Sequence, residues 1–134
     1  MMSVVVDSCV LLDIFTQDHR WFGWSSQALA DAANEGMIVI NPAVYAEISA
    51  RFDRIEDLEI LLSHDVFEYR PIPREAAFLA GKSFVEYRRR GGARSSPLPD
   101  FFIGAHAAVA HLPLVTRDAR RFREYFPGLN LICP

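Results

Sequence analysis

The sequence predicts an α/β protein with a mostly parallel central sheet flanked by helices. Three observations predict it. Short β-branched runs such as VVV and MIVI alternate with longer stretches of helical spacing, the pattern of strand–helix–strand units. Turn and cap residues fall between them, as in Asn41-Pro42, Gly91-Gly92 and Pro113. The chain is 134 residues with 51% apolar and 23% charged residues, enough for one domain (1–134) with a sizeable core.

Each element follows in order. VVV at 4–6 is a buried strand ending at Asp7. Ser8 to Phe15 reads as a short helix. The segment WFGWSSQALADAANEG is a second helix, stopped near Gly36. MIVI at 37–40 is the next strand. Asn41 caps the following helix and Pro42 occupies its first position. Ile55, Leu58, Leu61 and Leu62 have one-face helical spacing. VFEY at 66–69 is a strand, and 73–90 is a long helix ended by two glycines. A helix then starts at Pro99, slim through Gly104, Ala105, Ala107 and Ala108. LVT at 114–116 is a strand, 118–125 a short helix, and LNLI at 129–132 a final strand.

Composition narrows the function. No apolar run reaches the length of a bilayer span, and the N-terminus lacks the basic flank of a signal peptide. The expectation is a cytoplasmic protein. Cys9 and Cys133 have neither metal-ligand nor disulfide-framework spacing, and Cys9 reads as a buried thiol. The net charge of −3 argues against nucleic-acid binding by bulk charge. The basic residues are nevertheless patterned: Lys82 is the one lysine, and eight of the thirteen arginines fall at 88–94 and 117–123. Arginine's planar fork fits phosphate oxygens better than lysine does. A solvated basic face is the ordinary alternative.

Ligands of open α/β sheets bind beyond the carboxyl ends of the strands. Asp7 ends the first strand and Asp118 lies two residues past LVT, so both belong to that edge. Glu47 lies on the helix after the second strand, and Asp100 in the first turn of its own helix. Taken singly, these acids suit helix caps, a helix dipole or a solvated face. Together they would repel one another, by roughly 4 kcal/mol for two carboxylates about 4 Å apart at an effective dielectric near 20. Such a cluster takes up protons, splays apart or binds a cation. All-oxygen ligands point to Mg²⁺ or Mn²⁺ rather than zinc. Ser8 and Thr116 place hydroxyls beside two of the acids, to orient carboxylates or waters or simply to cap. Arg94 and Arg117 are the candidates for phosphate contact. Asp13, six positions after Asp7, reads as a surface or outer-layer residue, and His106 and His111 as packing or surface residues. The acid-rich stretch 53–68 reads as a solvated face. Trp21, Phe22 and Trp24 are core residues or line a groove for a partner helix.

A haloacid-dehalogenase-type phosphatase wants an Asp where Cys9 stands. A response-regulator receiver wants an acceptor Asp after the third strand and a Lys after the fifth, and this chain has neither. No Walker A or GxGxxG loop is present.

The segments VVVDSCVLLDIF, NPAVYAEI, LPDFFIGAHAAV and LVTRDARRFREYFPGLNLI resemble, in order, the motifs of VapC-type PIN-domain ribonucleases, the toxins of type II toxin–antitoxin pairs. The resemblance implies a PIN-like three-layer sandwich. It implies Asp7, Glu47, Asp100 and Asp118 as the catalytic acids, with Asp7, Asp100 and Asp118 on a Mg²⁺ or Mn²⁺ ion and Glu47 close by or acting through water. It also implies endoribonuclease activity on structured RNA (tRNA, rRNA or mRNA), a homodimer, and a cognate antitoxin that blocks the site. Cys9 departs from the family pattern, where Asn or Ser is common. The competing expectation is a catalytically inactive PIN-fold protein that binds RNA or an antitoxin.

Overall fold

The β-branched runs form the centre of a parallel sheet in the computed structural model, which describes residues 2–93 and 98–134. The elements are β1 (Val4–Val6), α1 (Ser8–Phe15), α2 (Phe22–Glu35), β2 (Ile38–Ile40), α3 (Pro42–Ser49), α4 (Ile55–Leu61), β3 (Phe67–Tyr69), α5 (Arg74–Arg89), α6 (Leu98–Ala110), β4 (Leu114–Val115), α7 (Arg120–Tyr125) and β5 (Leu131–Ile132). The sheet order is β3-β2-β1-β4-β5. Every strand pair is parallel, with Val5 opposite Val39 on one side and Leu114 on the other. The sheet is thus wholly parallel among the described residues, because each connection between neighbouring strands is a helical crossover.

Val5, Val6, Ile38 and Val39 have no exposed surface. Burial of each side chain contributes about 1.5–3 kcal/mol, which is why these runs choose the interior. From β1 the chain moves out to β2 and β3, then crosses back to β4 and β5. The reversal falls between β1 and β4, and their carboxyl ends carry Asp7 and Thr116. Asn41 caps α3 as its sequence predicts, accepting a hydrogen bond from the Val44 N–H at 3.0 Å.

Helix α6 is mounted by packing on both flanks. Phe101 is fully buried and meets the rings of Tyr125, Tyr87, Phe84 and Phe126 at centroid distances of 5.3–6.4 Å. A methyl group added at Gly104 would stand 2.6 Å from the Phe126 ring, so only glycine lets α7 and the turn after it approach so closely. His106 is buried and hydrogen-bonds Asn41 across 3.1 Å, tying α6 to the start of α3. No helix among the described residues is long and apolar enough to cross a membrane.

Candidate metal centre

The carboxyl ends of β1 and β4, with α3, α6 and α7, enclose a cleft of about 320 Å³ lined by Asp7, Glu47, Asp100, Asp118, Arg117 and Arg121, among others. One oxygen from each of Asp7, Glu47 and Asp100 lies within 4.8 Å of the other two. Asp118 lines the same cleft but stands at its exposed rim, outside that trio. The spacing of the trio suits one small cation, and every donor is a hard oxygen.

Asp7 follows β1 and precedes α1, yet its carboxylate makes no capping bond to that helix. It accepts instead from the Thr116 hydroxyl at 2.8 Å and from the Cys9 thiol at 3.4 Å. Thr116 in turn accepts the Asp118 N–H at 3.1 Å, so the loop after β4 is bonded through one hydroxyl to the end of β1. Ser8 donates to Glu47 at 2.7 Å. Both hydroxyls picked out in the sequence therefore bond to acids of the trio, Thr116 while also taking a local backbone N–H.

The electrostatics are those of a site short of positive charge. Burial raises the Asp7 carboxyl above its ordinary value, against the hydrogen bonds from Thr116 and Cys9. Burial also raises Glu47, with Asp7 adding to it and Ser8 opposing. Asp100 is pushed up to about 6 by burial, then by Asp7 and Glu47, with Arg121 opposing. Burial and the neighbouring Asp7 push the Cys9 thiol up to about 12, so it sits beside the cleft as a neutral donor rather than a thiolate.

Of the two arginines picked out for phosphate contact, Arg117 lines the cleft but is already paired. Arg117 donates its Nε to Asp13 at 2.8 Å and lies over the Trp21 ring at 5.4 Å. Arg94 lies outside the described residues. Among the described residues the cation that reaches the trio is Arg121, whose Nη1 donates to Asp100 Oδ2 at 2.8 Å. No local spacing signals this pairing, because Arg121 and Asp100 are 21 positions apart and sit on different helices. Asp13 is a correction to the surface reading: it is 2% exposed and also accepts from Ser25 at 2.7 Å. A lone acid within SCVLLDIF was the clue, since a carboxylate amid apolar neighbours is stable only with partners. His111 is exposed, and most of the acids at 53–68 are solvated, as expected.

Comparison with known proteins agrees with the fold. The solved structure of VapBC2 from Rickettsia felis, bound to a DNA fragment from its promoter, is similar with a TM-score of 0.72, at 20% identity over 98% of both chains. A toxin–antitoxin complex from Klebsiella pneumoniae gives 0.67 at 22% identity, over 96% of this chain and 95% of that one. FitAcB from Neisseria gonorrhoeae gives 0.66 at 16% identity, over 96% of each. No curated protein matches the sequence. At such identities the structures share the fold, and the sequence itself supplies the family: residues 4–125 match the PIN domain, and the chain belongs to the PIN domain family.

Proposed function

We propose that this protein is a divalent-metal-dependent endoribonuclease of the VapC type, the toxin of a type II toxin–antitoxin pair, acting in the cytoplasm as a homodimer held in check by its antitoxin. The observation that carries the nuclease reading is the convergence of Asp7, Glu47 and Asp100 within 4.8 Å at the carboxyl edge of the sheet. The toxin reading draws support from the similarity in fold to solved toxin–antitoxin complexes.

An all-carboxylate trio fits Mg²⁺ or Mn²⁺, which keep coordination positions for water and phosphate. Such an ion supplies a water of lowered pKa and neutralises charge on the phosphate under attack. Asp7, Glu47 and Asp100 would hold it. Thr116 and Ser8 would fix the carboxylates of Asp7 and Glu47, as outer hydrogen bonds do at metal sites. Asp118, exposed at the rim of the same cleft, would act from outside that trio. The net reaction adds water across a phosphodiester: an oxygen–phosphorus bond forms, the bond to the leaving ester oxygen breaks, and that oxygen takes up a proton.

The test uses labelled structured RNA with Mg²⁺ and the variants Asp7→Asn and Asp100→Asn. Both should lose cleavage while keeping the native circular-dichroism spectrum. Full activity in both variants sinks the proposal, and cleavage of matched DNA but not RNA replaces the substrate class.

A further inference from the structure

Among the described residues two arginines line the acidic cleft, and they are held in different ways. Arg117 is bonded to Asp13, a carboxylate with 2% exposure. Pulling it away would strand a buried charge, which is strongly unfavourable, so Arg117 is a fixture. Arg121 is bonded to Asp100, a member of the converging trio. An ion bound by that trio brings to Asp100 the same positive charge that Arg121 brings without it. Arg121 can therefore leave Asp100 with no carboxylate left uncompensated.

The side chain has somewhere to go. Its guanidinium is 5.6 Å from the Tyr87 ring centroid. With Asp118 it also lines a second concavity beside the cleft, together with Tyr87, Arg120 and Glu124. A third of its side chain is exposed, so rotation meets solvent rather than core. A planar fork at that border is suited to two oxygens of one phosphate.

We propose that Arg121 is an exchangeable counter-cation: it neutralises Asp100 in the metal-free protein, is displaced from that carboxylate by the divalent ion, and then binds the phosphate of the RNA being cleaved. This rests on the metal-nuclease reading above and adds to it the residue that couples metal loading to substrate binding. Among the described residues, Arg121 alone combines contact with the trio and a free path out of it. In the metal-free state the cation also mutes the repulsion among the acids.

The experiment measures Mn²⁺ binding to RNA-free protein by electron paramagnetic resonance, and cleavage at saturating Mn²⁺, for wild type, Arg121→Gln and Arg121→Lys. Arg121→Gln should bind Mn²⁺ roughly tenfold more tightly, since competition and repulsion are gone, yet cleave about a hundredfold more slowly. Arg121→Lys, with the charge but no fork, should keep near-wild-type Mn²⁺ affinity and restore cleavage only in part. A purely structural role would not move the two readouts in opposite directions. Unchanged or weaker Mn²⁺ affinity in Arg121→Gln overturns the inference, as does full cleavage at saturating Mn²⁺. With Mn²⁺ binding intact in wild type, either result leaves the metal-nuclease reading standing. A wild-type protein that binds no Mn²⁺ overturns both.

Discussion

Thr116 donates its hydroxyl hydrogen to Asp7 Oδ2 at 2.8 Å, joining residues 109 positions apart. The bond spans the reversal in the sheet, where β1 and β4 lie side by side. It holds the Asp7 carboxylate in place and orders the loop that carries Asp118, whose N–H bonds the same hydroxyl. Replacing Thr116 with Ala should cost about 1 kcal/mol of stability, the worth of an ordinary buried hydrogen bond. It should also weaken Mn²⁺ binding by about tenfold or more, as loss of an outer partner does. Urea titration and Mn²⁺ binding check the two effects separately.

Asp100 makes metal-free stability depend on pH. Its folded carboxyl titrates at about 6, against an ordinary value of 3.8. Between those values the folded protein holds a proton that the unfolded chain has released, so stability falls as pH rises through this window. Above it the charged carboxylate stays buried beside Asp7 and Glu47 at a cost. Asp100→Asn, with no metal present, should therefore exceed wild type at pH 7 by about 1 kcal/mol or more, and the gap should close near pH 4. Equal stability at both pH values contradicts the assignment.

Adding the ion should reverse that order. Mg²⁺ at about 100 times its dissociation constant should raise wild-type stability by about 2.7 kcal/mol. Asp7→Asn should gain nothing measurable. Chelation with EDTA should return the wild-type melting curve to its metal-free position.

Gly104 can be tested without touching a carboxylate. Its missing side chain admits the Phe126 ring, and Phe122 lies 3.0 Å from where a Cβ would stand. Gly104→Val should destabilise by about 1–3 kcal/mol through overpacking. It should also slow cleavage in the molecules that stay folded, because α7 carries Arg121. Thermal melting and an assay well below the melting temperature separate the two consequences.

Asp13 holds Arg117 and Ser25 from inside the protein. Asp13→Ala should cost about 2 kcal/mol, less than a fully buried pair because Arg117 is 29% exposed. Its effect on Mn²⁺ affinity should be smaller than that of Thr116→Ala, since Asp13 is not among the converging acids. The comparison is made on the same protein preparations by calorimetric melting and Mn²⁺ titration.

The sequence by itself determined the strands, the helices and the edge of the sheet that carries the acids. Those features depend on neighbours a few positions apart: β-branched runs such as Val4–Val6, the Asn41-Pro42 cap, and acids just past strand ends. It also picked out Ser8 and Thr116, since a hydroxyl next to an acid is visible in one line of text. Only the tertiary structure decided which acids converge. Glu47 joins Asp7 and Asp100 because α3 packs against α6, with His106 bonded to Asn41, whereas Asp118 stays at the rim. Only the tertiary structure gave Arg117 to Asp13 and Arg121 to Asp100, pairings 104 and 21 positions apart. Such partners are set by strand order and by the rotation of each helix about its axis. Burial settles both over the whole core, and no local pattern encodes them.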